Sequence, residues 1–359
     1  MTSPTKAGGR PWLSILIPVY NVEPYLDECL DSVLSQAGEG VEVIALDDCA
    51  TDGSAAVLAR RVEGHRGPAS FRAMRHERNG GLSAARNTLL AAARGQYIWF
   101  VDSDDYLAPG AVAELQAIVT RHHPDLVLCD YRIQRPKMTL KHRLRGELHR
   151  VTFAGASEQL VRDRDELIRG LFMAGQMFAW AKIFRRNIWP TDAPLFEPGR
   201  YFEDAHAMPL LALRAQSHYH ARRPWVVYRH RPGSILRTMD ARKCADLADA
   251  FGDFAERCRA DGVQLSHAAR FAVAHQSAKN FIAACRHLST IETGWFDQCA
   301  ERFRSEFQNS AMLSPGMLIL FYLTRGWPWR AIRLAVWLKN PTIVGSVLGR
   351  IRRARIFNL

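Results

Sequence analysis

The sequence has no CxxC pair, and its seven cysteines (Cys29, Cys49, Cys129, Cys244, Cys258, Cys285, Cys299) are scattered, several of them in apolar runs. An odd, dispersed set speaks against a disulfide framework or a zinc site. It reads as small buried residues kept reduced, as in a cytosolic protein. There is no run of about 18 or more uncharged apolar residues, so no conventional transmembrane helix is expected. Residues 1–10 are polar and lack the apolar stretch of a signal peptide. Neither GxGxxG nor GxxxxGK[ST] occurs, which leaves a dinucleotide fold or a P-loop unsupported. Internal repeats and low-complexity segments are missing as well. Acidic residues run out altogether after Glu306.

What is present is 359 residues with 48% apolar content, enough for a sizeable core and for two domains or one domain with an appendage. The formal charge of +12 is uneven: eight cations (Arg325, Arg330, Arg333, Lys339, Arg350, Arg352, Arg353, Arg355) follow the last acid. Local asymmetry of this kind says more about a partner than the total does.

Along the first 131 residues, short apolar runs alternate with helical spacing. Strands are expected at 12–19, 41–46, 70–75, 97–101 and 125–131, and helices at 25–36, 52–62 (with Asp52 as N-cap), 83–94 and 111–121. Five alternations imply an α/β fold, a mostly parallel sheet with helices on both faces. Ligands in such sheets sit at the C-terminal strand ends. Residues 132–150 are basic and read as an exposed loop or hairpin. Residues 240–308 read as helical.

The densest chemistry is FVDSDD, residues 100–105, where an apolar strand runs into three carboxylates. Like charges at a buried strand end need compensation, and a bound divalent cation supplies it. Asp102 and Asp104 are two apart and share a side in extended chain, which suits Mg²⁺ or Mn²⁺ carrying a diphosphate. Asp105 either ligates or holds the loop. Other polar residues follow strands in the same way: Pro18, Tyr20 and Asn21 after the first, Asp47 and Asp48 after the second. They should converge on the same edge.

Taken together, SILIPVYN (14–21), VIALDDCATDGS (43–54), NGGLSAARN (79–87), GQYIWFVDSDD (95–105), WAKIFRR (180–186), YFEDAHAMPLL (201–211) and YRHRPGSI (228–235) resemble glycosyltransferase family 2 in order and spacing. Cys49-Ala50, where the family often has Gly-Ser, is a departure that leaves the acids intact. The resemblance implies a GT-A fold over 12–239, after a polar tail at 1–11 and before a helical extension at 240–310 and a basic amphipathic tail at 311–359. It implies an inverting enzyme with a nucleotide-sugar donor, such as build bacterial polysaccharides and glycolipids.

Residue by residue, the resemblance puts Pro18, Tyr20 and Asn21 against the nucleotide base and Asp48, or else Asp47, on the uracil imide. It puts Asn79 and Arg86 near base or diphosphate, Asp102 with Ser103 on the donor, and Asp104 with Asp102 on the metal. Asp204, with Glu203 beside it, becomes the general base. Arg231 and Ser234, with Arg229 and His230 nearby, would clamp the diphosphate. Trp180 and Lys182 would form an acceptor floor, since an aromatic face suits a sugar ring.

The C-terminal segment is cationic and apolar together, and 317–323 and 329–338 fit interfacial helices. That makes peripheral contact with the inner face of the cell membrane, near a saccharide or lipid-linked acceptor, the expectation; a packed helical subdomain is the competing one. Two other classes stay open. A sugar-phosphate nucleotidyltransferase would show an N-terminal Gly-rich loop with a basic residue, absent after residues 14–19. A non-catalytic basic membrane or nucleic-acid binder would account for the charge, but no nucleic-acid recognition motif is present, so no nucleic-acid partner is expected.

Overall fold

A computed structural model describes residues 9–188, 193–230, 239–291 and 296–339. The N-terminal half alternates as the apolar spacing dictates: β1 (Leu13–Val19), α1 (Glu23–Leu34), β2 (Val41–Asp47), α2 (Ser54–Gly64), β3 (Ser70–Arg75), α3 (Gly81–Ala92) and β4 (Tyr97–Phe100). Then come β5 (Tyr106–Leu107), α4 (Ala111–His122), β6 (Leu126–Gln134), α5 (Leu140–Leu144), β7 (Leu160–Val161), α6 (Arg164–Ala174), β8 (Lys182–Arg185), α7 (Glu203–Arg214) and β9 (His218–Arg229). The described strands form one sheet in the order β3-β2-β1-β4-β8-β6-β9-β5, with β7 beside β9. Strands β3, β2, β1 and β4 are parallel neighbours. Strand β8 enters antiparallel between β4 and β6, so β6 runs parallel to β4 without touching it.

Every residue of β1 and β2 is buried, as a parallel sheet covered on both faces requires. Alternate residues feed opposite layers. Ile15, Ile17, Val43 and Trp99 face the layer that takes in α1 and α4. Leu16, Ile44 and Phe100 face the one built from α3, α6 and α7. Each such side chain contributes about 1.5–3 kcal/mol relative to exposure. A one-residue slip would exchange the two layers, so the register, and with it the strand ends, is fixed.

Residues 132–150 fold back on the sheet: Tyr131 and Arg150 form a bridge, and Ile133 N–H donates to Glu147. Beyond the sheet lie α8 (Ala241–Ala248), α9 (Gly252–Ala260), α10 (His267–Leu288), α11 (Phe296–Ser310), α12 (Pro315–Thr324) and α13 (Pro328–Lys339). The last two pack through Leu318, Tyr322, Ala331, Leu334 and Trp337 into a core shared with α10 and α11. No described helix is long and apolar enough to cross a membrane. All seven cysteines are free, five of them buried.

Candidate active site

Strands β1, β2 and β4 end on one edge, and the loops that follow them are cross-tied. Asn21, at a positive φ of 51°, accepts from Thr51 N–H at 2.8 Å, joining the loop after β1 to that after β2. Asp48 is buried at 2% exposure. Its Oδ1 takes the N–H of Gly80 and its Oδ2 that of Gly81, each at 2.8 Å, while His76 Nδ1 lies 2.6 Å from Oδ1. Gly81 has φ +81°, which a side chain would strain. Asn79 donates its side-chain amide to the Asp48 carbonyl.

Through these bonds Asp48 anchors the 79–81 loop. Asp47 is buried too, with Oδ1 taken by Ala50 N–H. Pro18 is buried within β1. Tyr20, 45% exposed, is the residue of this group that offers an aromatic face to a ligand.

After β4, oxygens of Asp102, Asp104 and Asp105 all lie within 4.8 Å of one another. Asp105 Oδ1 accepts the Arg229 N–H at 2.7 Å, but its Oδ2 is buried without a hydrogen-bond partner. Burial first, and the adjacent Asp104 and Asp102 second, push its carboxyl well above the ordinary range. Three hard oxygen donors, one of them orphaned, fit a divalent cation. Ser103 is buried between them.

The acids of the second cluster come from the start of α7. Arg86, 1% exposed, joins the two clusters: its Nη2 donates to Asp102 at 3.0 Å and its Nη1 to Glu203 at 2.8 Å and Asp204 at 2.5 Å. The guanidinium also lies 5.8 Å from the Phe100 ring and 5.2 Å from the Phe196 ring. Arg86 is thus a buried bridge among three carboxylates, while its Nε is buried without a hydrogen-bond partner. Burial raises Glu203 to about 7, with Asp204 adding to the rise and Arg86 opposing it. Burial raises Asp204 as well, again against Arg86.

The expectation for Trp180 and Lys182 is corrected, since both are buried. Trp180 stacks on Phe178 at 4.7 Å. Lys182 Nζ donates to the carbonyls of Gln176 and Phe178, at 2.6 and 3.0 Å. Neither presents a surface to an acceptor. Arg231 and Ser234 lie outside the described residues.

The profile of Glycosyl transferase family 2 matches residues 14–184, a span containing β1 to β8 and the three clustered aspartates. The uncharacterized glycosyltransferase EpsJ of Bacillus subtilis (strain 168) is 32% identical over 230 residues, 63% of this chain and 63% of EpsJ. Residues 14–184 form a glycosyl transferase family 2 domain. The chain spans just under two thirds of that relative's length.

The GT-A fold of this chain is shared with S. aureus TarS 1–349 solved in complex with UDP-GlcNAc, at TM-score 0.65 and 18% identity over 91% of this chain and 90% of that one. The mannosyltransferase PcManGT from Pyrobaculum calidifontis, in complex with GDP-Man and Mn²⁺, matches at TM-score 0.50 and 17% identity over 94% and 90%.

Sequence reasoning missed the helix that supports the aspartate loop. On α1, Glu28 accepts from Arg229 Nη2, Cys29 Sγ contacts the Asp102 carbonyl at 3.7 Å, and Ser32 Oγ accepts the Leu107 N–H. Arg229 also donates Nε to the Asp104 carbonyl and lies over Tyr25 and Tyr106. Tyr25, Cys29 and Ser32 are spaced i, i+4, i+7, one helix face. That signal was in the sequence, but nothing in α1 named its partner.

Lys182 supports the second acid pair. The carbonyls it holds flank a single helical turn at Ala179–Ala181, and Ala179 N–H donates to Asp204 Oδ2 at 3.0 Å. Lys182→Met is expected to lower turnover on the order of tenfold to a hundredfold, because Asp204 loses its alignment. Donor KM should change little. Steady-state kinetics on a folded variant checks this; an equal rise in donor KM would count against a role at Asp204.

Proposed function

We propose that the chain is an inverting, metal-dependent glycosyltransferase. In this reading it moves a sugar from a UDP-sugar to a hydroxyl of a saccharide or lipid-linked acceptor during cell-envelope glycan synthesis. The observation that carries the reading is the Arg86 bridge, which brings Asp102 of one acid cluster within one guanidinium of Glu203 and Asp204. A group that would hold the leaving diphosphate thereby sits beside a group that would take a proton. The UDP-GlcNAc in the TarS structure supports the choice of donor, and the Mn²⁺ in the PcManGT structure, bound there with GDP-Man, supports the choice of cofactor.

Asp204 would accept the proton of the acceptor hydroxyl as that oxygen attacks the anomeric carbon and the bond to the diphosphate breaks. One displacement inverts the centre and needs no covalent intermediate. Glu203, protonated near neutral pH in part, holds the pair's second carboxylate against Arg86. Tyr20 would offer its exposed ring to the base. A Mn²⁺ or Mg²⁺ held by Asp104 and Asp102, with Asp105 alongside, would supply charge neutralisation to the diphosphate leaving group.

The acceptor side is read from the tail. Met317, Leu320, Leu323, Trp329, Ile332 and Val336 are exposed on α12 and α13, and helices with such a face and flanking cations suit peripheral contact with the cytoplasmic face of a membrane.

The test is nucleotide release by purified protein with Mn²⁺ or Mg²⁺ over a panel of UDP-, GDP- and CDP-sugars, with saccharide and lipid-extract acceptors. Release from one UDP-sugar, abolished by EDTA and reduced on the order of a hundredfold or more by Asp104→Asn, is the expected result. Failure to bind UDP with metal in calorimetry, together with silence across the panel, would overturn the reading.

A further inference from the structure

Between α10, α12 and α13 lies a cavity of about 560 Å³ lined by Lys279, Arg330 and Arg333, with His275, Tyr322 and Trp327 among its other walls. No carboxylate lines it. Among the described residues, none of the three cations forms an ion pair. Lys279 donates to the neutral Gln276 side chain at 2.8 Å, and Arg330 lies 4.1 Å from the Trp327 ring centroid. All three side chains are exposed at the cavity's mouth, open to a ligand from solvent. Here cations face cations. Lys279 titrates below its ordinary value through desolvation and then Arg330. Arg333 does so through desolvation and then Arg286. A cavity that gathers uncompensated cations is built to be completed by an anion.

The cavity's position says which anion. On α13 the buried residues Ala331, Leu334 and Trp337 define the inner face, and the exposed Trp329, Ile332 and Val336 the outer one. At 3.6 residues per turn, Arg333 falls on the boundary between the two faces and Arg330 beside Leu334 and Trp337, and both side chains are exposed. Cations at the edge of an exposed apolar strip match the layering of a lipid surface, with phosphate at the level of the guanidiniums and acyl chains against the apolar side chains.

We propose that this cavity is a phosphate-binding site for the headgroup of an anionic lipid, seating α12 and α13 on the membrane. The inference rests on the peripheral-contact reading above and adds to it a defined headgroup pocket. A bilayer attracted by diffuse charge would respond to any of the tail's cations. A pocket responds to Lys279, which lies far from the tail in sequence, as strongly as to Arg330 and Arg333.

The experiment uses the full chain and sedimentation with phosphatidylcholine vesicles, with and without phosphatidylglycerol. Wild type should bind only the phosphatidylglycerol vesicles. The triple variant Lys279→Gln, Arg330→Gln, Arg333→Gln should bind them about a hundredfold more weakly, roughly fivefold for each cation removed. A control triple, Arg60→Gln, Arg66→Gln, Arg121→Gln, removes equal charge elsewhere and should bind as wild type. Circular dichroism melts confirm folding, and UDP binding with Mn²⁺ is measured in parallel so that loss of the pocket is separable from failure of the donor site.

Equal binding by wild type and the pocket variant would overturn the proposal. So would wild type binding inorganic phosphate or glycerol phosphate in calorimetry while ignoring both vesicles, which would make the cavity a free-phosphate site. A Lys279→Gln single variant that binds like wild type while the other two weaken binding would reduce the effect to diffuse charge and likewise overturn it.

Discussion

Replacing Asp204 with asparagine is expected to lower kcat by about 10²- to 10⁴-fold, with donor binding nearly unchanged. The substitution keeps the shape and one of the two accepted hydrogen bonds: the amide oxygen can still take either the Arg86 or the Ala179 donor. What it removes is the basic lone pair. The pH dependence should report the same pair. With Glu203 raised to about 7 by burial and by Asp204, transfer is expected to rise with pH through about 7 as the pair loses its shared proton. Glu203→Gln removes the group whose titration sets that limb, so the limb should move to lower pH while a base remains at Asp204. A wild-type profile flat from mildly acidic to alkaline pH, or an Asp204→Asn variant of ordinary activity, would remove Asp204 as base. Rates are measured under saturating donor so that kcat and not binding is compared.

Strands β1, β2 and β4 were legible because they are buried on both faces and therefore read as apolar runs. The strand at 70–75 coincides with β3, and the other early elements lie within a few residues of their expected ends. Asp52, expected as an N-cap, sits one residue further out and ties Glu23 N–H to the start of α2. The antiparallel entry of β8 between β4 and β6 was not legible, since neighbours in a sheet are chosen by tertiary packing and four residues, KIFR, carry no direction.

Within the site, the carboxylates were found because acids at a strand tip and at a helix start are chemically conspicuous. Their supporting residues were misread where a side chain's type outweighed its position. Trp180 and Lys182 carry an aromatic ring and a cation that suit a ligand, yet Trp180 lies in the buried turn at 179–181, where its ring fills space, and Lys182 opens β8, where its ammonium holds two carbonyls. Arg86 reads as a contact to base or diphosphate by type, and it lies three, four and seven residues before Leu89, Leu90 and Ala93, all buried. The helical period placed it inside.

Arg86→Met should be the most damaging single change to the folded state, at about 3–5 kcal/mol near neutral pH. Methionine fills much of the volume and keeps contact with the Phe100 and Phe196 rings, so little of the loss comes from packing. It comes from leaving Asp102, Glu203 and Asp204 without their shared counter-ion. The sign of the pH dependence separates this cause from a packing defect. Without the cation, Glu203 and Asp204 are raised further above their unfolded values. A carboxyl with a raised folded pKa supports folding below its unfolded pKa, and that support is lost as pH rises through the folded value. The variant's deficit should therefore be smallest well below about pH 4, where Glu203 and Asp204 are neutral in both states, and grow toward and beyond about 7, where Glu203 already titrates in the wild type. Urea denaturation of both proteins across that range measures it. Arg86→Lys retains one charge on a single point and cannot reach all three acids, so it should fall between the two. A deficit independent of pH would mean that the side chain's bulk, and not its charge, holds the two acid clusters together.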